Sequence, residues 1–340
     1  MSSVTTAFED ASSGRARSLG FWRRARLGGL LLVSAASGVW LAAAAITYYA
    51  PDRGEFGRGP EFAALCAAFA ALLAAAAILG RFRQGLGAQL RRFQPWSVAL
   101  GLFVIVWETL AAKTGVLPQP FFPPPQAMLE VFTDDYAKLT ESVVASIKLE
   151  LLGFLLGGAG GFAIGVLLGW SRAFGYWVHP VMRVIGPLPS IAWLPIAFFA
   201  FPSSWSASIF LIALTTGFPV AVLTWSGVAS VNTAYYDVAR TLGANQRFLI
   251  FKVAIPAALP HVFVGLFMGL GASFAVLATA EMMGVKAGLG FYLQWAQGWA
   301  AYANMYAALL VMALMCSGFI TLLFKARDRI LSYQKGDLKW

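Results

Sequence analysis

Long apolar runs recur along this chain of 340 residues, and several of them are close to twenty residues long. A helix needs about 20 apolar residues to cross the hydrocarbon layer of a bilayer. Backbone groups in lipid must be hydrogen-bonded internally, so the possible spans are helices or closed barrels. A barrel would need alternating strands of about ten residues, and the sequence has none. The sequence therefore predicts an all-α polytopic membrane protein.

Eight transmembrane helices can be placed, at about residues 27–50, 62–80, 97–116, 147–170, 181–201, 205–229, 257–281 and 303–324. The first run follows a cluster of arginines and could also be a secretory signal. It exceeds the roughly 7–15 apolar residues of a signal, which favours a retained span. Most of the 25 lysines and arginines fall on one side of this topology. The positive-inside rule then predicts cytoplasmic N- and C-termini.

Composition excludes several other classes of protein. In a soluble chain, a net charge of +10 would suggest a nucleic-acid partner. In a membrane protein, the lysines and arginines concentrate in the cytoplasmic loops and set the topology, so no nucleic-acid partner is expected. Both cysteines, Cys66 and Cys316, fall inside apolar runs, and the two histidines, His179 and His261, lie far apart. Neither a metal site nor a cluster of catalytic residues is visible in this pattern.

The chain is predicted to have four parts. A tail of residues 1–26 precedes two appended spans in 27–95, which are rich in alanine. A break follows at Gln94-Pro95, and the main membrane domain covers 96–333 with a polar segment at 232–254. Residues 334–340 form a second tail.

One span, at 147–170, carries glycine at every fourth position. This spacing forms a ridge without side chains, against which another helix backbone can approach closely. It predicts a close-packed interface, which is either part of a moving pathway or ordinary helix packing. The glycines are Gly153, Gly157, Gly161, Gly165 and Gly169.

Five prolines between Pro180 and Pro202 argue against a regular helix, because each interior proline removes a hydrogen bond. A broken helix at membrane depth is tolerated where it is buried in protein or lines a cavity. We predict that this segment lines the transport pathway, although a kinked packing helix would show the same prolines. Glu281 joins the candidates because carboxylates in membranes are costly, unless it is simply solvated at the end of its span. The pathway candidates are Pro187, Pro189, Ser190, Trp193 and Glu281.

The polar segment at 232–254 is too charged to remain in lipid. Asn232 or Thr233 can cap a first helix, Gly243 suits the position just after its end, and Asn245 can cap a second helix. The pattern predicts a folded helix–glycine–helix element in the cytoplasm, where a plain loop is the alternative.

This segment, Asp237-x-Ala-Arg-x-Leu-Gly followed by Ile255-Pro-Ala-Ala-Leu-Pro260, resembles the coupling motif in permease subunits of binding-protein-dependent ABC importers. Pro187-Leu-Pro-Ser-Ile-Ala-Trp-Leu-Pro195 and Ala280-Glu281 with Gly288-Leu-Gly290 are similar to the nitrate, sulfonate and taurine branch. The resemblance covers about 97–333 and implies a six-span type I permease core, to which two N-terminal spans are added. It also implies that the polar segment docks on an ATPase subunit. The residues implied in that contact are Asp237, Ala239, Arg240, Thr241, Leu242, Gly243 and Ala244.

By this resemblance the chain is a transport subunit and not an enzyme, in the bacterial cytoplasmic (inner) membrane. It would pair with a second permease copy and with ATPase subunits, which would hold ATP and Mg²⁺. An external solute-binding protein would deliver a small anion of the sulfonate, taurine or nitrate class. The chain has no Gly-x4-Gly-Lys-Ser/Thr phosphate loop, which agrees with a separate ATPase and with no cofactor on this chain. The alternatives are an ABC permease for another small organic solute, an ion-coupled secondary transporter or a membrane enzyme.

Overall fold

The computed structural model describes residues 35–82 and 84–334, and all regular structure in this part of the chain is helical. The chain divides into two compact units, with the boundary between Asp134 and Asp135. The domain boundary expected from sequence at 95–96 stays a prediction.

The first unit contains four α-helices in its described part. Helix α1 occupies residues 35–49, and α2, α3 and α4 are Gly59–Phe82, Gln84–Glu108 and Pro125–Asp134. The Trp40 indole on α1 donates to the backbone oxygen of Ser97 on α3 at 3.1 Å. Trp40 also packs with small residues of α1 and α2, including Cys66, so α1 is fastened to this unit by both apolar and polar contacts.

A π-helical turn, Thr109–Lys113, extends α3 and carries a buried cation, Lys113. Lys113 Nζ lies 2.7 Å from a carboxylate oxygen of Asp52 and 3.6 Å from one of Glu108. It also donates to the carbonyl oxygens of Ala50 at 2.7 Å and Thr47 at 3.1 Å. A cation is favourable at the C-terminal end of a helix, so Lys113 stabilises the end of α1 while it neutralises Glu108.

The second unit is built around α5 (Tyr136–Trp170), α8 (Ser204–Ala229) and α11 (Ile255–Met283), which make its most extensive contacts. Shorter helices surround them. They are α6 (Arg172–Ile185), a 3₁₀ turn at Ser190–Trp193, α7 (Leu194–Ala200), α9 (Thr233–Thr241), α10 (Gln246–Phe248), a π-helical turn at Leu249–Ala254 and α12 (Leu289–Gly298). Helix α13 (Tyr302–Ile330) completes the unit and is followed by a 3₁₀ turn, Leu331–Gln334.

The glycines of α5 face α8. A Cβ atom added to Gly161 would lie 2.9 Å from the Cα atom of Gly217, and one added to Gly157 would lie 2.8 Å from the Cα atom of Ala213. Gly153, Gly165 and Gly169 meet α8 at similarly short distances. Helix α11 approaches α8 in the same way, with Gly265 against the backbone of Val220. The three central helices are therefore packed backbone against backbone.

Six helical segments in the described residues are long and apolar enough to cross a membrane. In place of one continuous helix at 181–201, α6 and the segment Ser190–Ala200 form a pair bent by 93°, which could supply a seventh span. Pro187 and Pro189 lie in this break, where the chain cannot continue a regular helix. The predicted span at 27–50 begins outside the described residues, so the total of eight stays a prediction. The six segments are Gly59–Gly80, Arg92–Lys113, Tyr136–Trp170, Ser204–Ala229, Gln246–Met283 and Tyr302–Tyr333.

Candidate coupling segment and membrane cavities

The segment from Asn232 to Phe248 has the helix–glycine–helix form expected from its sequence. The Asn232 side chain accepts a hydrogen bond from the N–H of Ala234 at 2.9 Å and caps α9. Gly243, with φ of +81°, follows the end of α9 in the left-handed region. The N–H groups of Gly243 and Ala244 donate to the carbonyls of Arg240 and Ala239, which closes a Schellman motif. Asn245 then caps α10 by accepting from the N–H of Phe248 at 2.9 Å.

One face of α9 carries apolar side chains that are exposed. Tyr235, Val238 and Leu242 are 66%, 61% and 83% exposed and are spaced at i, i+3 and i+7, so they share one side of the helix. The neighbouring side is anchored, because Tyr236 packs edge-on against Trp170 at the end of α5, with ring centroids 5.9 Å apart. This partial burial raises the pKa of the Tyr236 hydroxyl. The geometry leaves a rigidly held apolar surface, which we call the α9 face (Tyr235, Val238 and Leu242).

The structure brings the predicted coupling residues together on this short element. Asp237 and Arg240 form an exposed ion pair at 3.4 Å, on the side of α9 away from the α9 face. Ala239 and Ala244 are half-buried. Thr241 donates to the carbonyl of Val238 at 2.7 Å, while nothing lies within 4 Å of a Cβ atom placed on Gly243.

Four of the five pathway candidates line one cavity of about 300 Å³, which we call the proline cavity. Its walls are the broken segment after α6, together with parts of α8 and α11 near their midpoints. No lining residue is charged. The candidates that line it are Pro187, Pro189, Ser190 and Trp193.

Glu281 lies elsewhere and is 1% exposed. Ser146 on α5 donates to one of its carboxylate oxygens at 2.7 Å, and the N–H of Gly290 on α12 donates to the other at 2.7 Å. Ser146 in turn accepts from the N–H of Leu289 at 2.8 Å. A Cβ on Gly288, which has φ of +106°, would collide with the Glu281 carboxylate. The carboxylate therefore joins α5, α11 and α12, and the structure separates it from the proline cavity.

A second cavity, of about 570 Å³, lies at the end of the second unit opposite to α9. Glu281 contributes to its wall, and Lys148 is the one cation that lines it, with Glu141 two helical turns away on α5. Lys148 takes part in no ion pair with any residue that the structure describes. We call this space the Lys148 cavity.

Sequence reasoning overlooked several of these polar residues. Lys148 and Glu150 interrupt the apolar run of α5, and such a charge in a span is itself a signal of function. Glu150 is fully buried and accepts a hydrogen bond from Ser273 on α11 at 2.5 Å. Near the same end, the Tyr292 hydroxyl donates to Asp135 at 2.9 Å, and burial raises the pKa of Tyr292 to about 12. No local spacing could have shown this last pair.

The family model "Binding-protein-dependent transport system inner membrane component" matches residues 161–331. The nitrate import permease protein NrtB of Synechocystis sp. is 30% identical over 244 residues, which cover 70% of this chain and 86% of that protein. The bicarbonate transport system permease protein CmpB of Synechococcus elongatus is 28% identical over 249 residues, covering 68% of this chain and 84% of that protein. Membrane-spanning helices, the matched model and these relatives together establish that the chain belongs to the family of inner-membrane permease components of binding-protein-dependent ABC transport systems.

Proposed function

We propose that this chain is the permease subunit of an ATP-driven importer, that it pairs with a second permease copy, and that it forms the path for a small anion. An external binding protein delivers the anion, and ATP is hydrolysed on a separate subunit that docks on the α9 face. The termini and this face lie in the cytoplasm. The observation that carries the proposal is the α9 face itself, a rigidly capped apolar surface that no described residue of the chain covers.

The apolar side chains of the α9 face are better suited to contact with a groove on a partner protein than to exposure to water. Three exposed apolar side chains on consecutive turns form a typical anchor set for a helix in a groove. The Schellman motif and the Asn232 cap hold α9 in shape before any partner arrives, which lowers the entropy lost on docking. Asp237 and Arg240 form their ion pair on the opposite side of α9 and keep that side polar.

Two observations support the proposed substrate class, one from the relatives and one from a cavity. The relatives are named for nitrate and bicarbonate, which are both small oxyanions. Lys148 supplies a cation without an ion pair to the cavity at the end opposite to α9, whose wall also holds Glu141 and Glu281 and where a substrate from an external binding protein would enter. Sulfonates and taurine, which carry a similar anionic group, remain in the proposed class.

Docking is tested by the change Leu242→Asp. Leu242 is 83% exposed, so the substitution leaves the fold of the chain intact but puts a charge into the proposed interface. A buried apolar anchor is worth about 2 kcal/mol or more, so affinity for the ATPase subunit should fall by roughly 30-fold or more. Thr233→Asp is the matched control, because it adds the same charge at the first turn of α9, on the opposite side.

The measurements are co-purification of the ATPase subunit and uptake into proteoliposomes that contain the complete complex. Nitrate, bicarbonate, taurine and ethanesulfonate are offered together with their binding protein, and an uncharged sugar serves as the comparison. We expect Leu242→Asp to lose both ATPase binding and uptake, while Thr233→Asp keeps both. Unchanged ATPase affinity in Leu242→Asp would refute the docking site, and uptake of the sugar without any of the anions would refute the substrate class.

A further inference from the structure

A third cavity lies at the end of the second unit that also carries α9. It has a volume of about 780 Å³ and lies between the last turn of α5 and one side of α6. Arg172, Arg183 and His179 line it, and none of the lining residues is acidic. Neither arginine forms an ion pair with any residue in the described ranges 35–82 and 84–334. We call this space the arginine cavity; its local charge is positive and uncompensated.

The outer surface of α6 next to this cavity is apolar. Tyr176, Trp177, Val181 and Val184 are 74%, 75%, 53% and 69% exposed. Aromatic side chains of this kind concentrate at the level of lipid headgroups, and an amphipathic helix with arginines beside its apolar side is typical of a membrane interface. Tyr176 and Val184 also line the cavity, so its basic interior opens directly onto this apolar surface.

We propose that the arginine cavity binds the headgroup of an anionic phospholipid, whose acyl chains cover the apolar side of α6. Basic pockets between membrane helices at the cytoplasmic side are known to take such headgroups. The volume supports a ligand of this size, because pockets of roughly 300–1,000 Å³ hold molecules much larger than a four-atom oxyanion. A free anion would use the arginines but would make no contact with the aromatic and aliphatic wall. This site is separate from the proline cavity and from the Lys148 cavity.

Arg172 and Arg183 have the same task in this proposal, and His179 has a different one. Both side chains line the cavity without an ion pair, so each presents a guanidinium group to the headgroup, and Arg can bind a phosphate with two parallel hydrogen bonds. His179 is held in place by an edge-on contact with Trp225, with ring centroids 4.5 Å apart, and forms part of the floor beside Gly175. The arginines should therefore supply most of the preference for a charged headgroup.

The test uses the purified full chain in detergent and native mass spectrometry of lipid titrations. Palmitoyl-oleoyl phosphatidylglycerol is compared with phosphatidylcholine that carries the same acyl chains. The wild type should bind the anionic lipid more tightly than the zwitterionic one by about 25-fold or more. The double variant R172Q/R183Q should weaken binding of phosphatidylglycerol by roughly 25-fold, or about fivefold for each arginine, and should leave phosphatidylcholine unchanged.

A matched control is K325Q/R329Q, which removes two exposed cations from the last turns of α13, outside the cavity. It should bind phosphatidylglycerol as the wild type does. Glycerol 3-phosphate tests whether the cavity binds a free phosphate compound instead of a lipid. It should not displace phosphatidylglycerol at concentrations comparable to those of the lipid. The proposal is overturned if the wild type does not discriminate between the lipids, if both double variants behave alike, or if glycerol 3-phosphate competes equally well. A change of oligomeric mass in R172Q/R183Q with unchanged lipid binding would assign this surface to a second copy of the chain instead.

Because the readout is lipid binding and not transport, its failure says nothing about the proposed importer function. Folding is checked separately by the thermal unfolding midpoint of each variant in phosphatidylcholine nanodiscs. Both arginines are exposed, so that midpoint should match the wild type.

Discussion

Replacing Gly161 by alanine tests the close approach of α5 to α8. The added Cβ atom would lie 2.9 Å from the Cα atom of Gly217 and closer still to its carbonyl oxygen. Both obstructing atoms belong to backbone, so no side chain can rotate away and the helices must separate. Overpacking of this kind costs about 1–3 kcal/mol. The gain in helix propensity from glycine to alanine is about 1 kcal/mol at most, so we expect a net loss of about 0–2 kcal/mol, and of about 1–3 kcal/mol relative to a glycine-to-alanine control that has the same gain.

The same helix supplies matched controls. Nothing lies within 4 Å of a Cβ atom placed on Gly160, so Gly160→Ala should be neutral or slightly stabilising. A Cβ on Gly158 would lie 3.0 Å from the end of the Leu266 side chain, which can move, so Gly158→Ala should be intermediate. Unfolding of the purified chain by SDS in mixed micelles, followed by tryptophan fluorescence, gives the order of stability. If Gly161→Ala unfolded at the same SDS fraction as Gly160→Ala, the backbone contact between α5 and α8 would be wrong.

Three further substitutions test the polar contacts. Ser146→Ala leaves the N–H of Leu289 and one oxygen of Glu281 without a partner, which costs about 1–3 kcal/mol for each group and should lower the thermal unfolding midpoint. The control is Thr279→Ala, which loses only a hydrogen bond within α11, and equal midpoints for the two variants would contradict the reasoning. Lys113→Met leaves Glu108 buried without its ion pair and should lower the stability of the folded chain by about 3–5 kcal/mol. The double variant that also carries Glu108→Gln should recover part of this stability in the same measurement, and no recovery would exclude the pairing. Lys148→Met should reduce anion uptake by roughly tenfold, which corresponds to a loss of about 1.4 kcal/mol of binding free energy. The control is Lys286→Met, because Lys286 is exposed beside the Lys148 cavity but does not line it, and this variant should keep its uptake. Equal uptake by both variants would exclude Lys148 from the path.

Features set by neighbouring residues were predictable from the sequence. Asn232, Gly243 and Asn245 act within a few residues of themselves, so the caps of α9 and α10 follow from spacing alone. The glycine ridge of α5 could also be recognised, because a four-residue period keeps all its members on one side of a helix. The sequence did not indicate that α8 is the helix that packs against this ridge.

Features set by distant residues were not predictable. Ser146 binds Glu281 across 135 positions of sequence, and no local pattern connects them. Lys113 pairs with Glu108, five residues earlier, because the helix widens into a π-helical turn at this point. A sequence search for pairs at 3.6 residues per turn does not test a spacing of five residues. The prolines after α6 indicated that the helix is broken there, but the angle of 93° depends on how the segment packs against α8 and α11.

The central packing also limits how a force on α9 can travel, if the proposed docking is correct. Helices α8 and α11 flank the α9–α10 segment in sequence, and they touch through Gly269 and Thr216 as well as through Gly265 and Val220. Helix α5 meets α8 through Gly157, Gly161 and Gly165, which lie against its backbone atoms, and through two more glycines that lie chiefly against its side chains. Packed interiors are not continuously deformable, and these backbones cannot slide past one another without first separating. A push on the α9 face should therefore move the three helices as one body, and the change in shape should fall on the proline-broken segment after α6, which has no such ridge.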